Sequence, residues 1–436
     1  MKYVISDCNV VDVENDGRIL PHKDILVDGS VIAKISEHGK EIFEGARRID
    51  ATGCYAVPGL IDLHVHLFGT GMPSKVLGAG KSQQRLIRFI HTELGKKILG
   101  ALVSSAAKNQ LYSGVTTLRA VGDFCGSDIE LKRRTDAGKG AAAGLRMFVS
   151  GMAITAPGGH GAGTFANTAQ TTEDLERLVD EQVAAGADFI KICVTGGVMD
   201  AKKRGEPGEV KMTEEQVRTV CDRAHGSGKK VAAHVQSERG AEIAALCGVD
   251  SIEHGARLGE NSLGALRDRG GAVVVTYSPA LPFAKLPPEM TRMGELCKIN
   301  SEAVMDGMTV GAKQAIAAGI DVGMGTDSSC PYCTQYDMWR EVVYFSRFVG
   351  VSSAQALRVA TLGNARILGI EGITGSVAEG KSADILVLKR DPIADLSALS
   401  EIAFMFAQGR FIDAPKPKKM KKIDAVLDTL MSSVGE

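Results

Sequence analysis

Residues 1–56 carry short apolar stretches set between turn and polar residues, which read as short strands and turns. Val4-Ile5 opens one stretch. Asp24-Ile25-Leu26-Val27-Asp28-Gly29 and Val31-Ile32-Ala33-Lys34-Ile35 predict a hairpin about Gly29-Ser30. The texture returns near the other end, in Gly375-Ser376-Val377, in Ala383-Asp384-Ile385-Leu386-Val387-Leu388 and in Ile402-Ala403-Phe404-Met405-Phe406. Neither set has strands enough to be stable alone. The economical expectation is one small β-sandwich built from 1–56 plus 371–415. Residues 416–436 follow as a tail. Its basic, proline-bearing start reads as solvated linker, and 423–431 reads as a short surface helix.

Between the two ends the pattern changes. Continuous apolar runs occur at 56–63, 115–121, 146–150, 189–194, 230–233, 249–252, 272–276 and 320–324. Strands covered on both faces lose their alternation, so these read as buried parallel strands. Helical periodicity falls between most of them, at 95–113, 172–185, 213–227, 237–247, 261–269 and 302–318. Thr213 followed by Gln216 is a capping box, and Thr171 precedes an acidic first turn. Gly114, Gly186, Gly228, Gly248 and Gly319 stand where helices end. Eight strands alternating with helices predict an α/β chain whose residues 57–370 form a (β/α)8 TIM barrel. A doubly wound open sheet is the alternative.

Composition narrows the class of function. Lys plus Arg number 51 against 52 Asp plus Glu, a net charge of −1, which argues against nucleic-acid or anionic-membrane partners. A hydrophobic share of 44% excludes wholesale disorder. No apolar run approaches the roughly 20 residues of a membrane span, and the first residues lack a signal-peptide core, so a cytoplasmic address is expected. Nine scattered Cys fit reduced thiols better than a disulfide framework. A homo-oligomer acting on a small molecule is the expected assembly.

In a barrel of this kind the chemistry sits at the carboxyl ends of the strands. The residues found there are His64-Val65-His66 after the first run, His234 after the fifth, His254 after the sixth and Gly325-Thr326-Asp327 after the eighth. Arg119, Gly158-Gly159-His160 and Tyr277 end the second, third and seventh. The two-residue spacing of His64 and His66 turns both side chains to one face, which suits two imidazoles gripping one metal. Lys191 lies inside the fourth apolar run, where an ammonium is costly to bury. It must find a carboxylate or lose its charge. Reaction with CO2 would make it a carbamate able to bridge two cations. Four His, that carbamate and Asp327 then supply enough nitrogen and oxygen ligands for two divalent metals. Such a pair would polarise a carbonyl and activate a water, with Asp327 carrying the proton to a leaving nitrogen.

These residues resemble a known pattern. Val57-Pro58-Gly59-Leu60-Ile61-Asp62-Leu63-His64-Val65-His66 is similar to the opening metal motif of the amidohydrolase superfamily, and 375–384 is similar to its closing β-segment. Phe189-Ile190-Lys191-Ile192, Ala233-His234, Glu253-His254-Gly255 and Gly325-Thr326-Asp327 fill the intermediate positions. The likeness covers roughly 1–415 and is closest to the imidazolonepropionase-like branch, which contains Xaa-Pro and Xaa-Arg/Lys metallo-dipeptidases. It implies that His64, His66 and Asp327 hold one metal and His234 and His254 the other. It further implies that carboxylated Lys191 bridges them, that Asp327 is general acid/base and that the metal is zinc. The chain departs from the dipeptidases in carrying Gln236 where they commonly carry Tyr. Glu238 stands four residues after His234, where deaminases place a Glu at three.

Secondary signals complete the reading. The Gly-rich loop 156–164 is a poor phosphate cradle, and its His160 is expected to reach over the metals to the substrate carbonyl or carboxylate. Arg119 and Arg257 are candidates to fork a substrate carboxylate or to form structural ion pairs, and Tyr277 is a further substrate candidate. Cys330-Pro331-Tyr332-Cys333 matches a redox motif but lacks its helix-N-terminal context. The region 200–206 reads as a solvated loop or lid. The leading expectation is a binuclear metal-dependent amidohydrolase that cleaves an amide bond of a dipeptide or N-acyl amino acid by a metal-bridging hydroxide. A cyclic amidase or deaminase acting on a nitrogen heterocycle is the rival enzyme, and a non-catalytic scaffold is the rival of another class.

Overall fold

The structure is a computed structural model and describes residues 1–73 and 81–433, with side chains undescribed at 81–83. Strands from both chain ends join in one mixed eight-stranded sheet. Lys2–Asp12, Arg18–Asp28 and Val31–Glu37 form an antiparallel meander that includes the expected hairpin. Lys2–Asp12 also pairs in parallel with Arg47–Asp50 and Tyr55–Pro58. Tyr55–Pro58 pairs with Ile385–Leu388, which continues to Ile402–Ala407 and Arg410–Asp413. Period-two alternation gives this sheet two apolar faces. Ile385 and Val387 join a small core with Ile5, Ile25 and Phe406. Leu386 and Leu388, between them, join the main core. The expected strand at Gly375-Ser376-Val377 does not form; these residues lie in bends and coil.

All eight expected parallel strands occur: Leu60–Val65, Val115–Ala120, Arg146–Val149, Ile190–Cys193, Val231–Val235, Ser251–His254, Ala272–Val275 and Asp321–Met324. The first three form one sheet. The other five form a second, with Ala153–Thr155 and Ala166–Thr168 added at its edge. Both seams between the sheets are bridged. Asp188 N donates to Val149 O at 2.8 Å between the third and fourth strands. Asn364 Nδ2 donates to Ile61 O and Met324 O, at 2.7 and 2.9 Å, between the first and the last.

The apolar run expected as a single strand at 56–63 is two strands that meet at Gly59. Gly59 N donates to Asp384 O and Leu60 N to Gly114 O, so the backbone changes partners within one residue. A Cβ at Gly59 would lie 2.0 Å from Thr116 Oγ1, so only glycine permits this approach. The helices are set by their ends as expected. Both halves of the Thr213/Gln216 capping box are present, and Thr171 accepts from Asp174 N. Gly186 and Gly248 take the left-handed C-cap conformation. Helices Lys81–Ile90, Ser127–Asp136 and Tyr277–Lys285 lie outside the expected helical runs, and Met338–Phe345 forms a helix after the last parallel strand. The tail is tied down: Met420 N donates to Tyr336 Oη, and helix Lys421–Ser433 buries Ile423, Leu427 and Leu430. Tyr336, Trp339 and Tyr344 are buried.

Candidate metal centre

The carboxyl ends of the parallel strands bring His64, His66, His234, His254, Lys191 and Asp327 into one buried cluster. Asp327 Oδ1 lies 3.6 Å from His64 Nε2 and 3.4 Å from His66 Nε2. The ring of His254 is 4.7 Å from that of His64 and 4.6 Å from that of His234. One nitrogen of every ring is already engaged by the protein. His64 Nδ1 meets Glu253 Oε2 at 2.7 Å, and His66 Nδ1 meets Gly122 O at 2.6 Å. His234 Nε2 meets Gly196 O at 2.7 Å, and His254 Nδ1 meets Thr276 Oγ1 at 2.7 Å. His64 and His66 keep Nε2 for the cluster, the arrangement by which partners outside a metal site fix a ligand tautomer, whereas His254 approaches Asp327 Oδ2, at 3.9 Å, through the same Nδ1 that meets Thr276. His64, His66 and Asp327 offer atoms all within 4.8 Å of one another, close enough to share one ion.

Burial sets the protonation of the cluster. It pushes the His66 imidazole down to about 3 and drives His64, His234 and His254 well below the ordinary histidine value. All four rings are therefore neutral at pH 7, the form that ligates metals. Burial lowers the Lys191 ammonium too, against the opposing charge of Glu253. Among the described residues no ion pair forms to it. Burial lifts the Asp327 carboxyl to about 7, although the charges of Lys191 and His160 pull the other way. A buried carboxyl poised there can hold or release a proton near neutral pH.

Polar groups behind the cluster hold it in place. Asp62 Oδ1 accepts from His64 N at 3.2 Å and Thr326 N at 2.9 Å, and Oδ2 accepts from Thr326 Oγ1 at 2.7 Å. One carboxylate thus ties the first strand to the Gly325-Thr326-Asp327 turn. Glu253, which orients His64, accepts from Ser251 Oγ at 2.6 Å and from Arg119 Nη2 at 2.7 and 2.8 Å. His254 and Asp327 have φ of 64° and 48°, left-handed values that a non-glycine residue adopts only when its surroundings enforce them.

The cluster floors a cavity of about 360 Å3. His160 and Gln236 line it with His66, His234, His254 and Asp327. His160 stacks on His234 at 4.2 Å and 25°, and its Nδ1 bonds to Asp200 Oδ2. Asp200 also accepts from Gly161 N at 3.2 Å, so the expected loop 200–206 is clamped to the Gly-rich loop at its first residue. Although burial raises the Asp200 carboxyl, the charge and hydrogen bond of His160 hold it below the ordinary value.

Three substrate candidates lie elsewhere. Arg119 is buried and spends its guanidinium on Leu63 O, Ser251 Oγ and Glu253, so its ion pair is internal. Arg257 is exposed and outside the cavity lining. Tyr277 is fully buried, with its hydroxyl on Thr309 Oγ1 and its ring stacked on Phe348. Cys330 lines the cavity and Cys333 donates to Thr326 O at 2.7 Å. Burial raises both thiols well above the ordinary value, which disfavours the reactive thiolate. Asp62, Glu253 and Asp200 are functional-site residues that the strand-end reading passed over.

The amidohydrolase family pattern matches residues 55–412, and the chain belongs to that family. A Bifidobacterium longum protein assigned as a prolidase is 35% identical and superposes with a TM-score of 0.85 over 98% of both chains. A Xaa-Pro dipeptidase with methionine in its active site is 26% identical, with a TM-score of 0.80 over 95% of this chain and all of that one. The ochratoxinase of Aspergillus niger is 22% identical over 433 residues, 92% of this chain and 85% of that protein. The family and these relatives support hydrolysis of a carbon–nitrogen bond as the chemistry of the site. Among the described residues no helix is long and apolar enough to cross a membrane.

Proposed function

We propose that this chain is a binuclear metal-dependent amidohydrolase that cleaves an amide bond of a dipeptide or N-acyl amino acid. Its two parallel sheets are read as one closed (β/α)8 barrel of 57–370, capped by a sandwich from 1–56 and 371–415. The observation that carries the reading is the partnering of the four histidines, each with one ring nitrogen held by the protein, and of His64 and His66 with their free Nε2 turned to Asp327. That donor set fits zinc. His64, His66 and Asp327 would hold one ion and His234 and His254 the second, with Lys191 carboxylated and bridging. When bound, the pair supplies Lewis-acid polarisation of a carbonyl and an activated water.

The chain's own groups supply the rest. The lowered ammonium of Lys191 favours the free amine, the form that adds CO2. The Asp327 carboxyl, held near neutrality by burial, accepts a proton and returns it to the departing nitrogen. His160, fixed by Asp200, and Gln236 orient the substrate carbonyl from the cavity wall.

The test is to incubate zinc-loaded protein with pools of dipeptides, N-acyl amino acids and cyclic amides, and to quantify primary amine and ammonia separately. New primary amine, with about two metals per chain, is the expected result. Ammonia, or ring loss with no released fragment, would move the protein to the deaminase or cyclic-amidase reading. Lys191→Ala protein that kept two metals and full activity would remove the bridging role.

A further inference from the structure

The cavity is polar at its floor, at His160, Asp200 and Gln236 above it, and at scattered hydroxyls such as Thr70, Thr164 and Ser301. Much of the rest of the lining is apolar and forms two walls built from different parts of the chain. On the His66 side stand Phe68, Phe124 and Phe165. Phe68 meets Phe124 edge-on at 4.7 Å and lies parallel to Phe165 at 6.0 Å. The wall runs directly into the cluster, since the His66 ring is 5.3 Å from Phe68 and 5.1 Å from Phe165. All three rings are half-buried, so part of each faces the cavity. On the His254 side, helix Tyr277–Lys285 contributes Phe283, and helix Glu295–Ala317 contributes Val304 and Met308. Among the described residues, the carboxylates that line the cavity are Asp200, which is paired with His160, and Asp327.

We propose that this site selects amides that carry a bulky apolar group on each side of the scissile bond, with an aromatic ring favoured against the Phe68–Phe124–Phe165 wall. The inference rests on the amide-hydrolase reading and adds the substrate class. A scissile carbonyl over the floor sends its acyl part toward one wall and its amine part toward the other. Removing an apolar side chain from water against such a wall is favourable in proportion to its area. A ring against three rings gains a further edge or stacking term. A charged group in the same place loses its hydration with no partner to replace it. Each large apolar group should therefore raise kcat/KM by at least about tenfold over a small one.

The experiment uses the zinc-loaded full chain and a matched series: N-acetyl, N-hexanoyl and N-phenylacetyl derivatives of glycine, leucine, lysine and aspartate. The expected ranking places N-phenylacetyl-leucine first, with at least tenfold lost on shrinking either side and more on charging the amine side. Phe165→Ala should narrow the phenylacetyl-to-acetyl ratio, and Phe283→Ala the leucine-to-glycine ratio, each leaving the other ratio in place. Walls assigned to the wrong ends would exchange the two effects and overturn the aromatic assignment. Hydrolysis with a flat or reversed ranking overturns the inference and leaves the amide-hydrolase reading standing. If nothing in the series is cleaved, that reading fails, and calorimetric binding to metal-free protein decides the walls. Tighter binding of N-phenylacetyl-leucine than of N-acetylglycine, with a negative heat-capacity change, supports them, and equal binding overturns them.

Discussion

Arg119 offers a sharp discrimination between a substrate-binding residue and a strut, because the two roles leave different traces. Its guanidinium donates to Leu63 O at 2.7 Å, to Ser251 Oγ at 3.0 Å and to both Glu253 oxygens, and lies 5.4 Å over the Phe189 ring. Glu253 is fully buried, and besides Arg119 it meets only Ser251 and the His64 ring among the described residues. Arg119→Met keeps the bulk and leaves that carboxylate without its cation. Breaking a buried pair in this way costs about 3–5 kcal/mol. At about 2.1 cal/mol/K per residue, the 436-residue chain unfolds with an entropy of about 0.9 kcal/mol/K, so the melting temperature should fall by about 3–6 °C. Glu253 also fixes the His64 ring, and loosening such a partner lowers metal affinity by about 10–100-fold. Scanning calorimetry and a chelator competition measure the two quantities. Arg119→Met combined with Glu253→Gln should recover part of the loss, since the stranded charge is gone. An unchanged melting temperature and metal affinity, with KM raised for carboxylate-bearing substrates alone, would refute the strut and restore the fork.

Three further outcomes are expected. Asp24 is fully buried in the terminal sheet; burial opposes its ionisation, but bonds from His38, Asp7 N and Gly39 N prevail and hold its carboxyl at about 2. A folded pKa below the unfolded 3.8 stabilises above that value and is lost as pH falls toward 2. Asp24→Asn should therefore cost about 2 kcal/mol at pH 7, with the gap in melting temperature closing between pH 4 and pH 2. Asp200→Asn should keep two metals by elemental analysis yet lower kcat/KM about tenfold, because His160 loses the partner that orients it; unchanged kinetics would leave that pair without a role. Gly325→Ala would set a Cβ 2.3 Å from His64 N and 2.8 Å from its Cα, backbone that cannot step aside. Metal content should drop well below two equivalents with far-UV circular dichroism retained, and full loading would show that the turn tolerates the change.

The residues that form the cluster were legible because each breaks a local pattern in a way water would not allow. Lys191 stands out as a charge inside an apolar strand, and His64 and His66 as two polar groups on one face. The same reasoning, applied evenly, reaches Asp62 and Glu253. Both are carboxylates within strands otherwise buried on both sides, and both prove to be the partners that hold His64 and the Asp327 turn. Ligands stand at strand ends, and the partners that hold them stand in strand interiors. Asp200 was hidden for a different reason. It opens a charged stretch, Asp200-Ala201-Lys202-Lys203-Arg204, that reads as solvated loop until His160 is brought beside it from 40 residues away.

What local pattern does not carry is a change of partner without a change of environment. Residues 55–65 are almost wholly buried, so hydropathy runs unbroken while the backbone passes from the terminal sheet to the parallel one at Gly59. Helix Tyr277–Lys285 was concealed by Pro279 and Pro282, which argue against a helix locally; burial of eight of its nine residues outweighs them. The seam between the first and last parallel strands is equally invisible from either side. Asp62 binds Thr326 across 264 residues, and Asp327 N donates to His64 O at 2.6 Å. Asp327 reaches His64 and His66 only once that seam is made. The left-handed backbone at Asp327 has no local cause, being enforced by contacts that exist only in the complete fold. The cluster is therefore a property of the assembled sheets. Any substitution that opens the seam, however far from the histidines, removes the Asp327 carboxylate from the geometry that a metal requires.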